Sequence, residues 1–128
     1  MRILLDTHVL LWWVSSDPRL PPTVLHRLSA PDTTILISAV SAHEITTKHR
    51  LGKLTVPQEL AHNLESIVTS SGWQALPLSI VHAQLAGSLP GHHRDPFDWM
   101  LAAQALSEDV PIASADAAMI GFGVNVIW

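Results

Sequence analysis

The stretch Arg2-Ile3-Leu4-Leu5-Asp6-Thr7-His8 opens the chain with an apolar run that closes on an acid. A short run without polar alternation reads as a strand buried on both faces, the pattern of a parallel sheet. The arrangement returns along the chain. Glu44 stands in the segment after Ile35-Leu36-Ile37-Ser38. Asp98 opens the helix-like run Asp98-Trp99-Met100-Leu101-Ala102-Ala103-Gln104-Ala105. Asp116 follows Val110-Pro111-Ile112-Ala113-Ser114. In an open parallel sheet, such positions meet at the carboxyl ends of the strands, where ligand sites form. Carboxylates gathered in one cleft repel each other, and burial sharpens the repulsion. A hard dication relieves it, and Mg²⁺ or Mn²⁺ takes oxygen ligands. The pattern points to metal-dependent chemistry on a phosphate substrate.

Outward from residues 2–5, helical spacing is expected over 7–14, ended by Asp17-Pro18 and Pro21-Pro22. Further helices are expected over 22–28, 41–51, 57–70, 80–89 and 96–107, with a short one over 116–120. Gly52 and Gly72 end two of them. Strands are expected over 34–38, 73–78, 110–113 and 124–127. Buried strands alternating with helices imply a parallel sheet covered on both faces. The fold class is therefore α/β: a single-domain three-layer α/β/α sandwich with a mainly parallel sheet, spanning residues 1–128. No repeat, low-complexity tract or long linker divides the chain.

Composition agrees. Of 128 residues, 48% are hydrophobic and 14% charged, enough for a well-buried core and contrary to disorder. The lack of cysteine excludes disulfides, a thiolate nucleophile and a thiolate metal site. No apolar stretch nears the roughly 20 residues that span a bilayer. The chain opens on a strand-like run, so no leader of basic, apolar and cleavage regions is expected. A soluble, cytoplasmic protein without a membrane partner is the expectation. The net charge of −4 argues against a general nucleic-acid binder. It weighs less against a nuclease, whose acids sit partly in one metal-offset site.

Each acid also has a structural reading. Ser41-Ala42-His43-Glu44 has the form of a capping box. Asp95-Pro96-Phe97-Asp98 places an N-cap aspartate before an N1 proline. Asp6 and Asp116 would cap the helices after them. Capping does not explain why four acids follow four strands of one sheet, and it explains Asp6 least.

Several segments carry a resemblance. Ile3-Leu4-Leu5-Asp6-Thr7-His8-Val9-Leu10-Leu11-Trp12 resembles the opening motif of PIN-domain ribonucleases. The segments 38–48 and 51–54, His93-Arg94-Asp95-Pro96-Phe97-Asp98, Ala102-Ala103-Gln104-Ala105 and Ser114-Ala115-Asp116 complete the likeness. It is to the VapC-type toxins, the ribonuclease half of type II toxin–antitoxin modules, and it covers nearly the whole chain in order. The resemblance implies Asp6, Glu44 and Asp98 as the core catalytic and metal-binding acids, with Asp116 the fourth. It implies a Mg²⁺- or Mn²⁺-dependent endoribonuclease acting on RNA, a homodimer and a cognate VapB-like antitoxin. Many members carry an arginine or small residue after the third acid, where this chain has Trp99. The alternative is a catalytically inactive PIN-fold module that binds RNA or protein.

Among auxiliary residues, Thr7 is placed to bond a phosphate or a metal-bound water, or to cap a helix. Asp95 is a second candidate beside Asp98. Lys48, Arg50 and Lys53 are candidate RNA-phosphate contacts. Lys48 also stands four residues after Glu44, as an ion-pair partner would. His92-His93 with Asp95 fits no closed zinc pattern. Trp12 and Trp13 are adjacent on a helix, so they do not share one face, and one of them is a candidate interface residue. A dehalogenase-type phosphatase would want an acid where His8 stands. A receiver domain would want an adjacent acid pair. A dinucleotide site would want glycines after the first strand, where Asp-Thr-His stands.

Overall fold

The computed structural model describes residues 1–91 and 95–128. His92, His93 and Arg94 lie outside the described residues, and with them the polar loop read from the sequence. Five parallel strands form one sheet in the order β3-β2-β1-β4-β5. They are β1 (Arg2–Leu5), β2 (Thr34–Ser38), β3 (Gln74–Leu76), β4 (Ile112–Ala113) and β5 (Val126–Ile127). β1 is central, with Ile3 beside Ile35 and Leu5 beside Ala113.

Alternate strand residues feed two cores, as a sheet buried on both faces requires. Ile3, Leu5, Ile35 and Ile37 enter one core. It is completed by α1 (Thr7–Val14), α2 (Pro22–Leu28), α3 (Ala39–Arg50), α4 (Gln58–His62) and α5 (Leu64–Ser70). Leu4, Leu36 and Ile112 enter the other, with Leu101, Ala102 and Ala105 of α7 (Pro96–Glu108). α6 (Ile80–Ser88) packs on α7. The result is the expected three-layer sandwich, with every strand pair parallel.

Three local expectations change. The helix expected over 41–51 starts at Ala39, because the Ser38 hydroxyl accepts from the Val40 N–H at 2.9 Å. The helix expected over 57–70 is two. Asn63 leaves helical geometry at φ −139° and ψ 43°. The Thr46 hydroxyl takes the Ala61 carbonyl at 2.6 Å, an acceptor that a continuous helix would use itself. The short helix after Asp116 is a 3₁₀ helix, Ala117–Phe122.

Trp12 and Trp13 are both half-buried. Trp12 meets Trp128 at 5.8 Å between ring centroids, and Trp13 meets Trp73 at 5.0 Å. Among the described residues, the most exposed large aliphatic side chains are instead Ile80, Val81 and Ile120, at 79%, 64% and 64%. Among the described residues, no helix is long and apolar enough to cross a membrane.

Candidate active site

The site forms where β1, β2 and β4 end and α1, α3 and α7 begin. Asp6 leaves β1 and sits at the N-cap of α1, yet its side chain makes no capping hydrogen bond. Its Oδ2 accepts instead from the Ser114 hydroxyl at 2.6 Å. Asp6 is 4% exposed. Burial raises its pKa above the ordinary 3.8. The Ser114 hydrogen bond and nearby His8 oppose that rise, and the Glu44 carboxylate adds to it. The opening acid is therefore held by a long-range contact, and the capping reading fails for it.

Glu44 also escapes its capping reading. The early start of α3 moves it into the second turn, away from the position a capping box needs. Its side chain is buried. Oε2 accepts from the Lys48 ammonium at 2.5 Å, and among the described residues Oε1 is buried without a hydrogen-bond partner. Buried polar atoms are nearly always paired, so an orphaned carboxylate oxygen marks a place left for something else.

α7 brings the next two acids. Asp95 is its N-cap and accepts from the Phe97 N–H at 2.9 Å, with Pro96 in the first turn. Asp98, in that same turn, is buried. Lys48 joins these acids to Glu44. Partial burial works against its charge, but the Glu44 hydrogen bond and the fields of Glu44, Asp95 and Asp98 outweigh it. The ammonium is thereby held charged above the ordinary lysine range. It lies 5.8 Å over the Phe97 ring.

The fourth acid departs from expectation. Asp116 is exposed, and its carboxylate accepts from the Ala118 N–H at 2.9 Å. The capping reading holds there. Its link to the cleft is indirect: the Asp116 N–H donates to Ser114 Oγ, which donates to Asp6. Among the described residues, no three Asp, Glu or His side chains stand close enough to hold one metal ion as they are arranged. The donor set is nonetheless oxygen-only and anionic, with one buried oxygen unmatched, which is the chemistry a hard dication takes.

Thr7 is buried, its hydroxyl 2.9 Å from that of Ser41, tying α1 to α3. Arg50 and Lys53 are exposed at and beyond the end of α3. Sequence reading missed Ser38, Ser41, Gln104 and Ser114, all buried. Ser38 donates to Gln104 Oε1 at 2.5 Å, and the Gln104 amide donates to the Pro77 carbonyl at 3.2 Å. Ser38 and Ser114 each close an apolar run much as Asp6 does, and that was the available signal.

Beside the cleft lies a groove of about 400 Å³ lined by His8, Leu11, Trp12, Arg19, Val56 and Leu60, among others. The sequence matches the PIN domain family over residues 3–123. No curated protein is similar to it at a significant level. Solved structures with the same fold include the VapBC2 complex from Rickettsia felis bound to a DNA fragment from its promoter. That match has a TM-score of 0.73 at 16% identity and covers 99% of this chain and 98% of the other. VapBC-1 from nontypeable Haemophilus influenzae matches with a TM-score of 0.71 at 16% identity, over 99% and 97%. FitAcB from Neisseria gonorrhoeae matches with a TM-score of 0.67 at 20% identity, over 98% and 96%.

Proposed function

Because this chain belongs to the PIN domain family, we propose that it is a metal-dependent endoribonuclease and the toxin of a VapBC-type toxin–antitoxin pair. PIN domains are generally nucleases. One observation carries the reading here: Asp6 and Glu44 are both buried where the strands end, and among the described residues one buried Glu44 oxygen has no hydrogen-bond partner. Structural proteins avoid such an arrangement, whereas catalytic sites use it.

Asp6, Glu44 and Asp98 would hold Mg²⁺ or Mn²⁺, with Asp116 acting from the rim through Ser114. A bound dication would neutralise charge on the scissile phosphate and ready a water for attack on phosphorus. Ser114 orients Asp6 by donating to Oδ2. The Thr7–Ser41 pair holds the first turns of α1 and α3 together beneath the acids. Asp95 sets the start of α7 and so the height of Asp98. Arg50 and Lys53 would attract RNA phosphates beside an otherwise acidic cleft.

The antitoxin would lay an apolar segment in the groove lined by Trp12, Val56 and Leu60 and reach a basic side chain into the cleft. A guanidinium suits that role because it meets two carboxylate oxygens at once. A cytoplasmic homodimer completes the proposal.

The test is cleavage of a mixed RNA pool by the purified chain in Mg²⁺, in Mn²⁺ and in EDTA, beside Asp6→Asn. Cleavage that needs metal and disappears in the variant is the expected result. Equal cleavage by the variant, or in EDTA, would overturn the reading. Co-expression with a neighbouring small reading frame tests the partner: co-purification with loss of cleavage is expected. One observation favours a second reading, a PIN-fold module that binds RNA or protein without cutting it: the acids do not close on one metal as they stand. Retention of RNA without cleavage under every metal would select that reading.

A further inference from the structure

Glu44 and Lys48 stand four residues apart on α3, so their side chains share one helix face. Most such pairs lie in solvent and matter little. This one does not: the Glu44 side chain is 3% exposed and that of Lys48 30%. The ammonium bonds Glu44 Oε2, covers the Phe97 ring and sits in the fields of Asp95 and Asp98. It serves one Glu44 oxygen and leaves the other buried and unmatched. Among the described residues, the ammonium thus answers Glu44 through one oxygen only.

Resting on the nuclease reading above, we propose that Lys48 is the resident counter-ion of Glu44, and that a divalent cation must displace it. Two cations do not share one small pocket, because their repulsion is strong where water is scarce. Lysine suits the role. Its charge rides on a flexible four-carbon stem and makes no rigid fork, so the head can leave while the stem stays packed. Once released, the ammonium stands at the cleft mouth, where an RNA phosphate would meet it. Lys48 would then keep Glu44 from standing as an unanswered buried charge in the metal-free protein, and would raise the threshold for metal binding.

Two measurements test this. First, acylation of lysines in the wild-type protein is mapped by mass spectrometry, in EDTA and in saturating Mn²⁺. Lys48 should react several-fold faster with Mn²⁺, while exposed Lys53 changes little. Second, Lys48→Met is titrated with Mn²⁺ by calorimetry and melted without metal. It should bind Mn²⁺ at least threefold more tightly than wild type and melt lower in EDTA. Lys48 labelling that ignores Mn²⁺, or an affinity in Lys48→Met equal to or weaker than wild type, would overturn the proposal. If the variant does not fold, the labelling on wild type decides alone. The two readings fail separately. RNA cleavage in Mg²⁺ with unchanged Mn²⁺ affinity in Lys48→Met removes the counter-ion role and keeps the nuclease. Tighter Mn²⁺ binding in Lys48→Met without RNA cleavage by the wild type does the reverse.

Discussion

The two ends of β1 carry charged clusters of opposite character. At its start, Arg2 reaches Glu108 at 3.6 Å, and the other Glu108 oxygen meets buried His82 at 3.2 Å. The second His82 nitrogen accepts from the Ser79 N–H, so the ring is satisfied on both sides and fastens α6 to α7. At its finish, Asp6 and Glu44 are both buried, the Glu44 carboxylate adding to the rise that burial causes in the Asp6 pKa, and among the described residues one Glu44 oxygen has no hydrogen-bond partner. α7 connects the two, running from Asp98 at the cleft to Glu108 at the clamp. One strand and one helix thus carry a completed polar network at one end and an incomplete one at the other. Completed networks stabilise, whereas an incomplete one is tolerated where ligand binding finishes it.

The largest expected effect separates the ends by activity. Asp6→Asn should lower RNA cleavage by more than about 100-fold, since even residues behind metal ligands change activity by roughly 10–100-fold. Glu108→Gln should leave cleavage within about twofold. Similar losses in both variants would erase the functional distinction.

Stability should divide the other way. Glu108→Ala leaves the Nε2 of buried His82 without its partner. A loss of about 1–2 kcal/mol in urea unfolding is expected, toward the low side for a buried unpaired group because Glu108 itself is partly wet. A loss too small to resolve would mean that water replaces the carboxylate and that the clamp is not a clamp.

The third effect concerns pH and is smaller. Asp6 has its folded-state pKa raised above 3.8. The folded protein therefore binds that proton more tightly than the unfolded chain does. This contribution to stability is complete below 3.8 and is lost as pH rises through the raised value. In EDTA at neutral pH, Asp6→Asn should melt level with wild type or a few degrees higher. The gap should close as pH falls toward 3.8. A variant that melts lower at neutral pH and recovers nothing in acid would contradict the account of a carboxylate penalised by burial and, to a lesser degree, by Glu44.

The smallest effect is that of Arg2→Ala. Its guanidinium is 3.6 Å from Glu108 with the side chain 44% exposed, so less than about 1 kcal/mol is expected from unfolding curves. A larger loss would show that the start of β1 depends on Arg2 as much as on the His82 contact.

Much of the fold was legible because its signals are local. Residues 2–5 and 34–38 are unbroken apolar runs, and strands of that kind belong in a covered parallel sheet. Asp95-Pro96 announced the start of α7, since a side-chain cap and an N1 proline act within one turn. Local signals misled where two of them competed. Ser41-Ala42-His43-Glu44 has the spacing of a capping box, but Ser38 captured the helix start three residues earlier. Nothing near Asn63 announced a break, because the carbonyl that the break gives up is taken by Thr46 from another helix.

The candidate site divides in the same way. From the sequence alone came the α/β class, the parallel sheet, the acids at the ends of apolar runs and the family resemblance. These follow from residue type and short-range period, which the chain carries wherever it goes. The tertiary structure decided which acids are freed from capping. Asp6 is drawn off by Ser114, 108 positions away, while Asp116 keeps its own helix as partner. It also decided that Lys48 lies between Glu44 and α7, where an i,i+4 spacing would equally have suited a pair in solvent. The physical reason is that a cap needs one turn of chain. The charge state and partners of a buried carboxylate depend on everything packed around it, and that is settled only when the sheet brings β1, β2 and β4 to a common end.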